Sequence, residues 1–280
     1  MSASSCNGVM VMSVFQMEDL AAELFAAERA LRTIPPLTER YPDMSMEVAY
    51  QIQLLNAHKK QQAGDRVVGH KIGLTSKPMQ RMLGVNEPDF GHLFASMQYR
   101  SRDIVDFPLI QPKVEPELAF VLAEDLPGPH VDADAVLRAT RAVVPALEVI
   151  DSRIADWKIR LADTIADNAS AGCFVLGDEP TPVGDTNLTT CGAVLKVNGE
   201  VVETGAGAAV MGHPAIAVAW LANKLASLGT TLRAGDIVLS GAVSAAVPVR
   251  SGDHVALSFG RLGRVEFTLA KANLSESSWG

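Results

Sequence analysis

Glu115 and Glu117 flank a single proline in the otherwise apolar stretch PKVEPELAF, residues 112–120. Side chains alternate faces along a strand, so residues two apart project to the same side. Two carboxylates held side by side repel, and burial raises that cost. An exposed face would leave both simply solvated, which is the ordinary fate of glutamate. A third acid argues for more. Glu148 stands as a lone charge inside the apolar run VPALEVID. Three carboxylates in two strand-like segments suit a hard, oxygen-loving cation, Mg²⁺ or Mn²⁺, which keeps positions open for a substrate's oxygens. Asp151, at the expected end of the second strand, competes for the third place. Pro116 lacks an N–H and fits a sheet edge or a bulge better than a central strand.

Other groups are open to two readings. Lys71 sits within the apolar RVVGHKIGL, either as an edge lysine reaching for solvent or as a cation beside a bound anion. Asp89 in NEPDFG reads as an Asx-type turn in a Pro/Gly loop or as a functional acid. DTIADNAS (163–170) precedes a strand and reads as a helix cap and turn, or as an anion-binding corner using Ser170 and backbone amides. The histidines form no pair at metal-ligand spacing, and His213 before Pro214 is a helix-start residue. Neither a Gly-x-Ser-x-Gly elbow nor a glycine-rich phosphate loop is present.

The elements that must position these groups follow from periodicity. Leu20, Leu24, Ala27 and Leu31 give a helix over 17–32, and Ser45 caps a second helix carrying Val48, Ile52 and Leu55. Strands are expected over 66–74, 110–122, 145–151 and 171–178, with a short helix in TSKPMQRM and another over 132–143. Beyond residue 191 the texture is β-rich. Asn198-Gly199 between two apolar runs predicts a hairpin, HPAIAVAWLANKLASLG predicts a helix entered through Pro214, and DIVLSG, HVALSFG and GRVEFTLA predict strands. The expected fold class is α+β, with residues 1–65 a helical N-terminal segment, 66–271 a β-rich catalytic domain and 272–280 a flexible tail.

Bulk properties exclude several classes. The chain of 280 residues is 48% hydrophobic, with a net charge of −8. It has no basic run and few aromatics, so nucleic acid is an unsuitable partner, and no apolar stretch reaches the ~18 residues of a membrane span. The first fifteen residues have no basic n-region or long apolar core and read as a loose leader rather than a signal peptide. Cys6, Cys173 and Cys191 are too few and too scattered for a disulfide framework, which suits a cytoplasmic setting.

Taken together, GHKIGLTSKPMQRMLGVNEPDFGHLF, QPKVEPELAFVLAEDLPGP, VPALEVIDSRIADWKIRLADTIADNASAGCFVLGD and GHPAIAVAWLANKLASLG resemble the 2-keto-4-pentenoate hydratase branch of the fumarylacetoacetate hydrolase superfamily, collinearly over residues 20 to 269. The resemblance implies a mixed β roll or sandwich with peripheral helices, usually oligomeric. It implies a divalent metal on Glu115, Glu117 and Glu148, Lys71 and Asp89 as catalytic residues, and a substrate pocket lined by Asp167, Asn168 and Ser170. The implied activity is hydration of 2-hydroxypenta-2,4-dienoate, or a substituted analogue, to 4-hydroxy-2-oxopentanoate in meta-cleavage catabolism of aromatic or steroid rings. An association with the downstream or sister pathway enzyme is in keeping with it. GAVSAAVPVRSGDHVAL resembles the sister 4-oxalocrotonate decarboxylases as much as the hydratases. An acylpyruvate-type carbon–carbon hydrolase and a non-catalytic metal-binding scaffold are the remaining readings.

Overall fold

The computed structural model of the chain describes residues 12–271, apart from 83 and 185. Cys6, the first eleven residues of the expected leader and the expected tail 272–280 lie outside the described residues.

Three helices lead in: α1 (Val14–Arg29), α2 (Leu37–Arg40) and α3 (Met46–Gln62). α1 starts earlier than its apolar spacing implies, because Ser13 and Gln16 close a reciprocal capping box. Ser45 caps α3 as expected, its Oγ accepting from Val48 N at 3.4 Å. Then come β1 (Val67–Gly73), α4 (Lys77–Met82), β2 (Asp89–Phe94), β3 (Gln98–Arg100), β4 (Ile104–Val105) and β5 (Lys113–Leu122). α5 (Ala133–Ala139) runs directly into β6 (Thr140–Ile150). The helix expected to reach residue 143 therefore stops four residues short. Its last turn is taken by the sheet, where Val143 pairs with Phe120 of β5; the β-branched pair Val143-Val144 gains more from cross-strand packing than from helix continuation. The remaining elements are α6 (Leu161–Ala166), β7 (Ala171–Leu176), β8 (Gly192–Val197), β9 (Glu200–Ala206), α7 (Pro214–Ser227), β10 (Ile237–Leu239), β11 (Val247–Pro248), β12 (His254–Phe259) and β13 (Gly263–Leu269). Asn198 and Gly199 turn the β8–β9 hairpin with φ of 53° and 88°, the positive pair a type I′ turn requires. His213 caps α7 through Nδ1, which accepts from Ala215 N.

The strands form two sheets. The larger runs β2-β1-β10-β5-β6-β7-β3, with β11 added on β5; the smaller runs β4-β13-β12-β8-β9. Both mix parallel and antiparallel pairs. β12 and β13 pack on β6 and β7, while α3 packs on α1 and α6. Side chains from all these layers share one core that includes Leu24, Ile52, Phe90, Phe120, Phe174, Phe259 and Phe267.

The register of the larger sheet does most to build the site. Lys71 lies beside Gly91 on one flank and Leu239 on the other. Leu239 pairs with Ala119, Glu117 with Ala146, and Glu115 with Glu148. Paired residues share a face, and so do residues two apart. Lys71, Asp89, Glu115, Glu117 and Glu148 therefore all rise from one face, although they come from four strands.

Pro116 corrects an expectation. It lies in a central strand, with no bulge at its position, paired with Leu147 where the register is regular. β5 tolerates it because its other flank is divided: β10 pairs with residues 119–121 and β11 with 113–114, leaving a gap. Pro116 O accepts from Val243 N in that gap. The missing N–H points the same way, where no strand calls for a donor.

Candidate active site

One oxygen from each of Glu115, Glu117 and Glu148 can be chosen so that all lie within 4.8 Å of one another. Glu117 and Glu148 are buried, and Glu115 is half-buried. Two ionised carboxylates at that separation repel by about 3–4 kcal/mol at an effective dielectric of ~20. Burial, reinforced by the neighbouring carboxylates, raises Glu115 to about 7 and Glu117 well above the usual carboxylate range. Burial also raises Glu148, although the Lys71 ammonium opposes it. Protein donors do little to relieve the cluster. Gly241 N donates to Glu117 Oε2 at 2.8 Å, but Glu117 Oε1 and Glu148 Oε2 are buried with no hydrogen-bond donor. A set of three carboxylates with unsatisfied buried oxygens fits a hard divalent cation.

Lys71 is the counter-charge already present. β1 is an interior strand, so the edge reading fails; the residue is 3% exposed. Its Nζ donates to Ala169 O at 3.0 Å and lies 3.2 Å from Glu148 Oε1 in a buried ion pair. Burial penalises the ammonium, but Glu148, Glu115, Asp89 and Glu117 outweigh that penalty and raise its pKa, so it stays charged.

Asp89 is not in a turn. It opens β2, opposite Gly73, and is buried. Burial raises its pKa despite the attraction of Lys71, which favours the neutral acid. Thr164 Oγ1 donates weakly to Oδ2 at 3.4 Å, and Oδ1 has no partner. Glycine at position 73 lets this carboxyl lie against β1, since a Cβ there would come within 2.2 Å of Asp89 Oδ1.

The segment expected to line the pocket divides in two. Asn168, Ala169 and Ser170 form a turn with φ of 55°, 50° and 53°. Three consecutive non-glycine residues in the left-handed region cost roughly 1–2 kcal/mol each. Gly91 lets this turn cross β2: a Cβ there would meet Asn168 O at 2.4 Å. Asn168 spends its amide on the crossing, Oδ1 accepting from His92 N at 2.8 Å and Nδ2 donating to His92 O at 3.0 Å. Asp167 is turned away to Arg153 and Ser152, which occupy both of its oxygens. Ser170 alone keeps a buried hydroxyl without a partner. Of the expected site residues, the structure thus brings Lys71, Asp89, Glu115, Glu117 and Glu148 onto one face, with the turn carrying Ser170 against Lys71. The side chains of Asp167 and Asn168 are engaged in holding that turn. Asp151 is excluded from the cluster, its two oxygens accepting from Ile110 N and Gln111 N.

Two contributors went unseen in the sequence. The Gly241 amide reaches Glu117 from a loop far along the chain, and no local signal marks it. Arg153, 6% exposed, lies behind the turn; an arginine just past a strand end carries no spacing signal, and its carboxylate partner lies fourteen residues on.

The fumarylacetoacetate hydrolase C-terminal pattern matches residues 43–270. The chain belongs to the fumarylacetoacetate hydrolase family. Within it, the chain is similar to a 2-hydroxyhexa-2,4-dienoate hydratase of Comamonas testosteroni, 44% identical over 257 residues that cover 90% of this chain and 97% of the relative. A 2-keto-4-pentenoate hydratase of Burkholderia vietnamiensis is 47% identical over 254 residues, again 90% and 97%. Among solved structures, the 4-oxalocrotonate decarboxylase of Pseudomonas putida G7, complexed with magnesium and adipate, superposes with a TM-score of 0.90 at 37% identity, covering 92% of this chain and 99% of that one. No helix among the described residues is long and apolar enough to cross a membrane.

Proposed function

We propose that the protein is a hydro-lyase that adds water to 2-hydroxypenta-2,4-dienoate, or a short-chain analogue, giving the 4-hydroxy-2-oxo acid. The observation that carries this reading is the shared face: three carboxylates fit for a cation, one buried ammonium and one buried acid with a free oxygen. The identity to named dienoate hydratases supports it. Glu115, Glu117 and Glu148 would hold Mg²⁺ or Mn²⁺, which supplies Lewis acidity toward the substrate's carboxylate and 2-oxygen when bound.

The protein's own groups do the rest. Lys71, fixed as an ammonium, binds the anionic head and stabilises charge that gathers on the 2-oxygen. Asp89, whose pKa burial raises, is suited to deliver a proton to the far end of the diene. In the overall sequence the 2-hydroxyl loses its proton while C5 gains one, giving the conjugated 2-oxo-3-enoate. Hydroxide from water then joins C4, and C3 takes the remaining proton. Having given up its proton, Asp89 becomes the base that orients the attacking water. Ser170 offers its hydroxyl to the substrate's oxygens, and the β-sheet floor shields the site from bulk water.

The test is to follow loss of the dienoate's ultraviolet absorbance after chelation, restore with Mg²⁺ or Mn²⁺, and identify the product by NMR. Metal-restored formation of the 4-hydroxy-2-oxo acid is expected. The high TM-score to the decarboxylase favours one second reading, in which the site releases CO₂ from a six-carbon unsaturated diacid. Release of CO₂ from that diacid, with no hydration of the dienoate, would replace the first reading with this one.

A further inference from the structure

The left-handed turn that carries Ser170 is built without glycine, so something must hold it. Arg153 does so from outside the pocket. Its Nη2 donates to Asp167 O at 2.5 Å, at the start of the turn, and its Nη1 donates to Ala171 O at 3.0 Å, just past the end. Nη1 also reaches Asp151 O at 2.6 Å, and Nε meets the Asp167 carboxylate. That carboxylate accepts in turn from Arg153 N at 3.0 Å and Ser152 Oγ at 3.1 Å. One planar guanidinium therefore grips both ends of a three-residue turn, bridging α6, the turn and the exit of β6. A lysine carries the same charge but lacks the fixed fork needed to reach these acceptors together.

We propose that Arg153 is a positioning residue for the reaction: by closing both ends of the 168–170 turn it sets the Ala169 carbonyl against Lys71 and holds the free Ser170 hydroxyl ready for the substrate. This rests on the hydratase reading for its chemistry, though the mechanical part does not. The carboxylates that would hold the metal stand on β5 and β6 and meet the turn through Lys71, whose Nζ lies between Ala169 O and Glu148 Oε1, so Mn²⁺ affinity and turn order can be read separately.

The wild type is compared with R153K, S170A and the R153K/S170A double variant. Each is measured for dienoate turnover, for Mn²⁺ affinity by electron paramagnetic resonance, and for amide hydrogen exchange at residues 168–171. R153K is expected to bind Mn²⁺ within about twofold of wild type, yet to exchange the turn amides at least about tenfold faster. Its kcat/KM is expected to fall at least about 30-fold, since a displaced contact is costly even when distant from the chemistry. S170A alone is expected to lose about tenfold. The double variant is expected within about threefold of R153K, because the hydroxyl is already misplaced and the two losses are not independent. Losses that multiply, wild-type exchange in R153K, or wild-type kcat/KM in R153K or S170A each overturn the proposal. Should R153K not accumulate folded, D167N loosens the same clamp while leaving an acceptor for Nε; unchanged exchange at 168–171 in D167N also overturns it. A wild type that hydrates no dienoate defeats the functional reading instead, and the exchange and Mn²⁺ measurements then decide the role of Arg153 on their own.

Discussion

Two buried charged clusters lie on either side of the 168–170 turn, and they are built on opposite plans. Around Arg153 and Asp167, both carboxylate oxygens and all three guanidinium nitrogens have partners. Around Glu115, Glu117 and Glu148, two buried oxygens, Glu117 Oε1 and Glu148 Oε2, have none, and Glu148 Oε1 has only the Lys71 ammonium at 3.2 Å. A saturated cluster fixes geometry. An unsaturated one of uniform sign leaves its charge to be completed from outside. The fold tolerates the second because the strands that carry it, β5 and β6, are buried along most of their length and cannot relax away.

This contrast can be broken by mutation, beginning where the effect is largest. Glu117→Gln should lower turnover by about three orders of magnitude through loss of an oxygen ligand. It should nevertheless leave the melting temperature of the metal-free protein unchanged or higher, because a mutual repulsion is removed while Gly241 N keeps an acceptor. Thermal scans in EDTA alongside rate measurements check both halves. In the saturated cluster the same logic reverses. Asp167→Ala strands a buried guanidinium and should cost about 3–5 kcal/mol in stability, read from denaturant midpoints.

A smaller effect comes from the opposite face of the β1–β2 hairpin, where His70 and His92 pair across the strands with ring centroids 5.1 Å apart. Burial lowers His70 to about 3, helped by His92, and lowers His92 to about 4. Both lie below the ordinary histidine value of about 6.5, so the unfolded chain takes up protons that the folded chain refuses. Stability is full above about pH 6.5 and is lost as pH falls toward the folded values, by about 2 kcal/mol per histidine at pH 5. Melting temperatures of His92→Gln across this window should show a shallower decline. The smallest expected change concerns the cation itself. Burial raises Glu115 to about 7 and raises Glu117 and Glu148 as well, and each must be ionised to bind, so Mg²⁺ affinity should fall at least about tenfold for each pH unit below about 7. Calorimetric titrations at two pH values measure the slope.

How far the sequence revealed this depends on the range of the forces involved. The alternation of a strand puts Glu115 and Glu117 on one side, and a lone Glu148 in an apolar run is conspicuous, so the carboxylates were legible locally. The direct pairing of Glu115 with Glu148 is a matter of register and needed the sheet. Lys71 could be read as an edge residue because the strand that encloses it, β10, comes from the far end of the chain. Pro116 misled for the same reason: whether its missing donor matters depends on the gap between β10 and β11. The block 167–170 stands out in the sequence as a unit. Its division into two residues that hold the turn and one free hydroxyl depended on Arg153 and the His92 backbone, neither of which leaves a pattern in the sequence.

The most direct test of the central claim is a calorimetric titration of chelator-stripped protein with Mg²⁺, with dienoate turnover read at each point. The claim predicts one ion per chain, activity that rises in step with occupancy, and neither in Glu117→Gln. Full turnover in the stripped protein, or undiminished binding in Glu117→Gln, would contradict it.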